Sequence, residues 1–232
     1  MEPLRLAHAL LAFLHFAQGV AVLVLQNGFR IPVTTIKMDG PPGSELPAHT
    51  TIGHIHIGAT VIVFLWLAAA QHTVVATAFW KKYNEGSYAR GILRWGEYSM
   101  SATAMIVAIA ALSGITDLSA LILVVVCNVT MIGFGALGEE FPEHNGMFAL
   151  GSFVGLGPWV AVFTAAALST PPAFVWAIIW SLFILFASFG VNQALHNWGV
   201  YKDPLTVEWG YIVLSLVSKS VLAWQVFSAT LV

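Results

Sequence analysis

The sequence predicts an all-α membrane protein of seven spanning helices, and three observations carry that prediction. Hydrophobic residues fill 58% of the 232 positions and charged residues only 9%, against about 25% charged in soluble domains. Seven apolar stretches are each long enough to cross a hydrocarbon core of about 30 Å. The breaks between them carry the turn chemistry of Gly, Asn, Asp and Pro.

Taken in order, the first span covers about 4–26. Arg5 followed by an apolar run resembles a secretory leader. The run continues to Leu25 and ends in Gln26-Asn27-Gly28 with no small-residue cleavage site, so it reads as a retained helix. The 28–51 connection is the longest. It holds Pro32, Thr34, Thr35, Ile36 and a Pro41-Pro42-Gly43 turn, and suits a small extracellular hairpin with a weak strand signal. The second span, 52–79, ends before Asn84-Glu85-Gly86, and the third covers 92–114. Gly114 and Asp117 then leave so short a join to the fourth span, 118–137, that the two must be antiparallel neighbours. Asn145-Gly146 precedes the fifth span, 147–169. Pro171-Pro172 makes another tight join to the sixth, 173–196, and Asp203-Pro204 opens the seventh, 208–230. No soluble domain, repeat or low-complexity tail interrupts the series, so residues 1–232 form one domain.

Loop charge sets direction. With the N-terminus in the cytoplasm, inside positions hold Arg5, Lys81, Lys82, Arg90, Arg94 and Lys202, and outside positions hold Arg30 and Lys37. The positive-inside bias therefore puts the N-terminus inside and the C-terminus outside. No Lys/Arg-rich run points to nucleic acid. The single cysteine, Cys127, excludes an intrachain disulfide framework.

Between Tyr211 and Val232 the one ionisable side chain is Lys219. It lies about 16 Å along the last helix, near the bilayer midplane. A charged lysine there costs about 2.5–3.5 kcal/mol on insertion scales, and its four-carbon stem is too short to snorkel to either interface. It calls for a partner. Glu97 in the third span lies about 8 Å to the cytoplasmic side of that helix's centre, and the Lys219 side chain leans the same way. Asp117 and Glu208 sit at helix ends, where water is expected to reach them.

An ion pair that merely fixes the bundle is one reading, although such pairs are often no more stabilising than apolar replacements. The other is a lysine that forms a Schiff base with a carbonyl compound, held protonated by the Glu97 carboxylate. A polyene on that nitrogen needs an aromatic, soft-sided slot. Met105, Met131, Trp159, Phe186, Phe189 and Trp224 are available for one, and each also suits ordinary packing.

The runs Arg94-Trp95-Gly96-Glu97-Tyr98-Ser99-Met100-Ser101 and Leu214-Ser215-Leu216-Val217-Ser218-Lys219-Ser220-Val221-Leu222-Ala223-Trp224-Gln225 resemble the counterion motif and the retinal-binding helix of the heliorhodopsins, within the microbial rhodopsins. His15 with Gln18, His72, Asn128-Val129-Thr130-Met131, Gly157-Pro158-Trp159, Ser188-Phe189 with Gln193, and Gly40-Pro41-Pro42-Gly43 extend the resemblance over all seven spans. It implies a rhodopsin-like bundle in the plasma membrane, with all-trans retinal on Lys219 and Glu97 as counterion. Ser215, Ser101, Tyr98 and Gln193 would lie near the chromophore, and His15, Gln18, His72, Asn128 and Arg94 in a polar, proton-accepting cavity. Ala68 departs from the family's usual serine one turn before His72. The resemblance also implies a homodimer meeting through the fourth and fifth spans and the first outer loop, where Gly151 and Gly155 would permit close approach.

Proton-pumping rhodopsins place a second carboxylate where this chain has Ser215 and an internal donor where it has Ala108. A pump needs carboxylates on both sides of the imine. A light sensor with an unknown cytoplasmic signalling partner is therefore expected ahead of a light-gated or light-driven proton transporter, and no enzyme is expected. His49, His54 and His56 cluster near the outer end of the second span. Helical spacing separates His54 from His56, so no metal site is expected there.

Overall fold

The computed structural model describes residues 2–38, 40–43, 48–85, 87–141 and 144–232. Its long helices are α1 (Glu2–Leu25), α2 (Ile57–Ala76), α4 (Ser87–Leu112), α5 (Leu118–Glu140), α6 (Asn145–Ala167), α7 (Ala173–Asn197) and α8 (Pro204–Val226). A short α3 (Trp80–Glu85) follows α2, and strands β1 (Arg30–Lys37) and β2 (Ala48–His56) join α1 to α2. The long helices form a ring in chain order, α1 against α2, then α4, α5, α6, α7 and α8, which returns to α1. Gly86 of the Asn84-Glu85-Gly86 break lies outside the described residues, as do positions 39 and 44–47 of the 28–51 connection.

Local chemistry starts the helices where the sequence has caps. Asp117 accepts from the backbone N–H groups of Ser119 and Ala120 at 2.9 and 3.2 Å. Asp203 accepts from Leu205 at 2.9 Å, with Pro204 at the first helical position. Gly114 takes φ of 94°, which lets α4 turn sharply into α5.

Six of these helices are long and apolar enough to cross a membrane. The exception, α4, carries Arg90, Arg94 and Glu97 and sits in the ring between α2 and α5. Large apolar side chains face outward, among them Phe13, Val24, Phe153 and Ile184. That is the pattern of a lipid-facing surface. The interior core runs through α2, α4, α5, α6, α7 and α8, around Phe64, Ile106, Val162, Ile179 and Leu222.

The second span does not begin at 52. Residues up to His56 belong to β2, where Thr50, Thr51, Ile52 and Ile55 supply β-branched side chains and Thr50, Thr51 and Ile55 pair with β1. Ile31, Val33 and Ile55 rest on the core. A bulge between Val33 and Thr34 shifts the register, so His49, His54 and His56 pair with Ile36, Pro32 and Arg30 and share the outer face. The helical spacing argument for those histidines therefore does not apply. Among the described residues no group of three or more His, Cys, Asp or Glu could hold a metal ion.

Candidate functional site

Lys219 is buried in α8, at 2% exposure, and its Nζ lies 3.4 Å from Oε1 of Glu97. It also donates to Ser215 Oγ at 2.8 Å, one turn earlier on the same helix, and stands 5.2 Å over the Tyr98 ring. Removing either member of such a pair strands a buried charge, at a cost of about 3–5 kcal/mol. Glu97 Oε1 and Ser101 Oγ, one turn apart on α4, accept and donate no hydrogen bond.

The amine opens into a cavity of about 440 Å³. On α4 the spacing of Tyr98, Ala102 and Met105 puts all three on its wall. Met131 enters from α5, Trp159 from α6, Phe183, Phe186, Phe189 and Gln193 from α7, and Tyr211 and Ser218 from α8. Trp159 stands edge-on to Phe183 and Phe186, with centroids 5.4 and 5.5 Å away, and Tyr98 stands edge-on to Phe189 at 5.4 Å. Polar groups are tied off at one end: Tyr98 donates to the Tyr211 carbonyl, Tyr211 to Gln193, and Gln193 to Asn197. Volumes of about 300–1,000 Å³ with apolar walls and few polar groups suit small organic ligands. The donor set, one buried amine on the wall of an aromatic-lined slot, fits retinal.

Two expectations fail here. Trp224 is 40% exposed and packs on Phe227, away from the cavity. Five helical residues past Lys219 rotate it by about 140° from the lysine's face. Gly151 and Gly155 do not leave a smooth outer face for a second copy. They face α5, where a Cβ would run into Phe134 and Met131, so their small size serves close approach within the chain.

A second polar region lies where α1, α2 and α8 meet. His15 is fully buried with neither ring nitrogen bonded, and it stacks on His72 at a centroid distance of 5.8 Å. Gln18 donates to Ser220 beside Lys219 at 3.1 Å. Asn128 belongs elsewhere, donating to Thr103 at 2.9 Å in the seam of α4 and α5. Arg94 is also apart from the histidines, ion-paired with both Glu139 and Glu208. Glu208 is 3% exposed, so the expectation that water reaches it is wrong: Arg94 and the Tyr83 hydroxyl cover it. Burial and the Glu208 carboxylate push the Tyr83 hydroxyl well up, which keeps it a neutral donor.

His8, Tyr83, Glu139 and Tyr211 escaped the sequence reading as site residues, and Glu208 was set aside there as a solvated helix end. A signal for His8 was present. Leu4, His8, Leu11, His15, Gln18 and Val22 follow a spacing of four and three, and all are buried on one stripe of α1. For Glu208 the signal was Arg94, a second intramembrane charge in need of its own partner.

A comparison with curated proteins finds no match. A family model described as Heliorhodopsin matches residues 4–231. That match spans every helix of the ring and both halves of the buried pair. Heliorhodopsins are light-sensing, retinal-binding microbial rhodopsins rather than enzymes of a conventional kind, and their helices make them multi-pass membrane proteins. This chain belongs to the heliorhodopsin family.

Proposed function

We propose that the chain is a photosensory receptor of the plasma membrane, with all-trans retinal held as a protonated Schiff base on Lys219 and Glu97 as its single counterion. The observation that carries this reading is the buried amine, 3.4 Å from a buried carboxylate, on the wall of an apolar cavity. When bound, retinal supplies light absorption and a photoisomerisation that disturbs the proton on the lysine nitrogen. The chain's own residues do the rest. Glu97 holds the positive charge at the nitrogen, Ser215 accepts from it, and Tyr98, Met105, Met131, Trp159 and Phe189 keep water from the slot.

Seven membrane crossings, α4 included, agree with this assignment. The positive-inside bias, which holds even without the buried, ion-paired Arg94, supports α3 on the cytoplasmic side and the hairpin outside. Toward the hairpin, α4 continues past Glu97 with Met105, Ile106, Ala108 and Ile109 buried, and one turn from Lys219 in the opposite direction α8 carries Ser215 and no carboxylate. That composition argues for sensing without pumping. A homodimer seated on the exposed apolar faces of α5 and α6, around Leu123, Val126 and Phe153, fits the same picture. A cytoplasmic signalling partner would read the state of the α3 end.

The decisive experiment is the absorption spectrum of purified protein given retinal. A visible band bleached by hydroxylamine in light is expected; no band with added retinal overturns the assignment. Illuminated cells expressing the protein should show no change in external pH, and a light-driven change abolished by a protonophore would make it a transporter. Cavity size gives a further expectation. Gly155→Ile drives a branched side chain against Met131 and should lower the yield of coloured protein severalfold, measured as visible absorbance per unit protein. An unchanged yield would place the chromophore elsewhere.

A further inference from the structure

His8 is a buried histidine, 1% exposed, that neither the cavity nor the Glu97 pair uses. Its Nδ1 lies 2.7 Å from Nδ1 of His72, and its Nε2 lies 3.2 Å from the Tyr83 hydroxyl. Tyr83 donates in turn to Glu208 Oε2 at 2.9 Å. His72 from α2 and Tyr83 from α3 are thus the titratable groups facing His8, with Glu208 from α8 and Arg94 from α4 one bond further on. An imidazole bonded at both nitrogens can accept a proton at one and release another from the other.

The two ends of this chain differ in charge. At the near end, His15 stacks on His72, and Gln18, one turn past His15 on α1, donates to Ser220 beside Lys219. Both His15 nitrogens, Gln18 Oε1 and Ser101 Oγ are buried there without hydrogen-bond partners, the setting in which water bridges polar groups. At the far end, Glu139 and Glu208 share one guanidinium, that of Arg94, itself 4% exposed. Two carboxylates and one guanidinium leave one net negative charge in a buried site. Such a charge is costly, and one proton removes it. Arginine only donates, so the proton goes no further than Glu208.

We propose that His8 and Tyr83 are a proton relay, along which the proton leaving the Lys219 nitrogen in light comes to rest on Glu208 and returns in the dark. The proposal builds on the reading of Lys219 given above. The lysine nitrogen loses one proton and its positive charge, and the His15–His72 pair takes the proton up. His72 passes a proton from Nδ1 to His8 Nδ1. His8 gives its Nε2 proton to the Tyr83 oxygen as the Tyr83 hydroxyl proton moves to Glu208 Oε2. His8 and Tyr83 end with as many protons as they began with. Glu208 becomes a neutral acid, Arg94 stays paired with Glu139, and the buried charge of the protein is unchanged overall.

The test is light-induced infrared difference spectroscopy on the full chain loaded with retinal. The native protein should gain a protonated-carboxyl band as the lysine nitrogen loses its proton, and Glu208→Gln should abolish that band. Tyr83→Phe removes one hydroxyl and should abolish the band or slow it by about a hundredfold, while the lysine nitrogen still deprotonates. His8→Asn, which interrupts the path at another point, should do the same. In retinal-free protein, ring-nitrogen NMR should show both His8 nitrogens hydrogen-bonded, with the Nε2 signal moving in Tyr83→Phe. A native-rate band in coloured Tyr83→Phe or His8→Asn protein, no band in coloured native protein, or an unmoved Nε2 signal overturns the relay alone. Native protein that stays colourless with retinal overturns the Lys219 reading and the relay together.

Discussion

Lys219→Arg given retinal is expected to be colourless, with a loss of visible absorbance of at least about a hundredfold. Arginine keeps a positive charge beside Glu97, so the buried carboxylate keeps a counter-charge and the bundle keeps its reason to fold. What it loses is the amine, and a guanidinium does not condense with a carbonyl under these conditions. Lys219→Ala should be equally colourless but also less stable, because Glu97 is then left buried and unpaired. Its expected cost is about 3–5 kcal/mol, read as an earlier thermal midpoint, and Glu97→Gln in the same chain should recover much of it. Visible colour in folded Lys219→Arg protein would end the assignment of Lys219 as the attachment point.

Much of this site was readable because membrane burial makes charges conspicuous. Lys219 and Glu97 stood out as charges in apolar helices, and matching their depths along two helices was enough to pair them. Met105, Met131, Trp159 and Phe189 were legible as slot residues, and the structure puts all of them on the cavity wall. Trp224 shows where linear spacing misleads. Nearness in sequence to Lys219 says nothing unless the rotation per residue is counted, and that rotation carries it outward. Gly151 and Gly155 show a related limit: small residues four apart announce a close approach without saying to which helix. The structure gives the close approach to α5.

Long-range pairing was the least legible part. His8 meets Tyr83 across 75 residues, and Tyr83 meets Glu208 across 125. No local pattern carries such pairings. At the hairpin, local propensity and context competed. Residues 52–56 are apolar enough to extend a spanning helix, yet β-branched side chains and a partner strand at 30–37 draw them into β2. The α1 stripe was readable from its spacing, and following it two turns back from His15 leads to His8.

Glu97→Gln is the second large effect. At 3.4 Å from the lysine nitrogen, a carboxylate contributes about 5 kcal/mol of attraction at an effective dielectric near 20. That attraction falls on the positive form of the nitrogen alone, so it localises the charge there and lowers the ground state relative to the light-excited one. The amide keeps the shape and removes the charge. Two consequences follow together. Molecules that keep the proton should absorb at longer wavelength, because positive charge then spreads along the polyene. The rest should lose the proton and move to the near-ultraviolet, since among the described residues Glu97 is the one carboxylate ion-paired with the nitrogen; Ser215 and Tyr98 offer neutral dipoles. Glu97→Asp keeps the charge but shortens the reach, and should keep most of the native colour with a smaller shift. The order native, Asp, Gln in band position is thus the expected result. A Gln variant whose spectrum overlays the native one would show that Glu97 is not the counterion, and attention would turn to Glu208, the other buried carboxylate on a described helix.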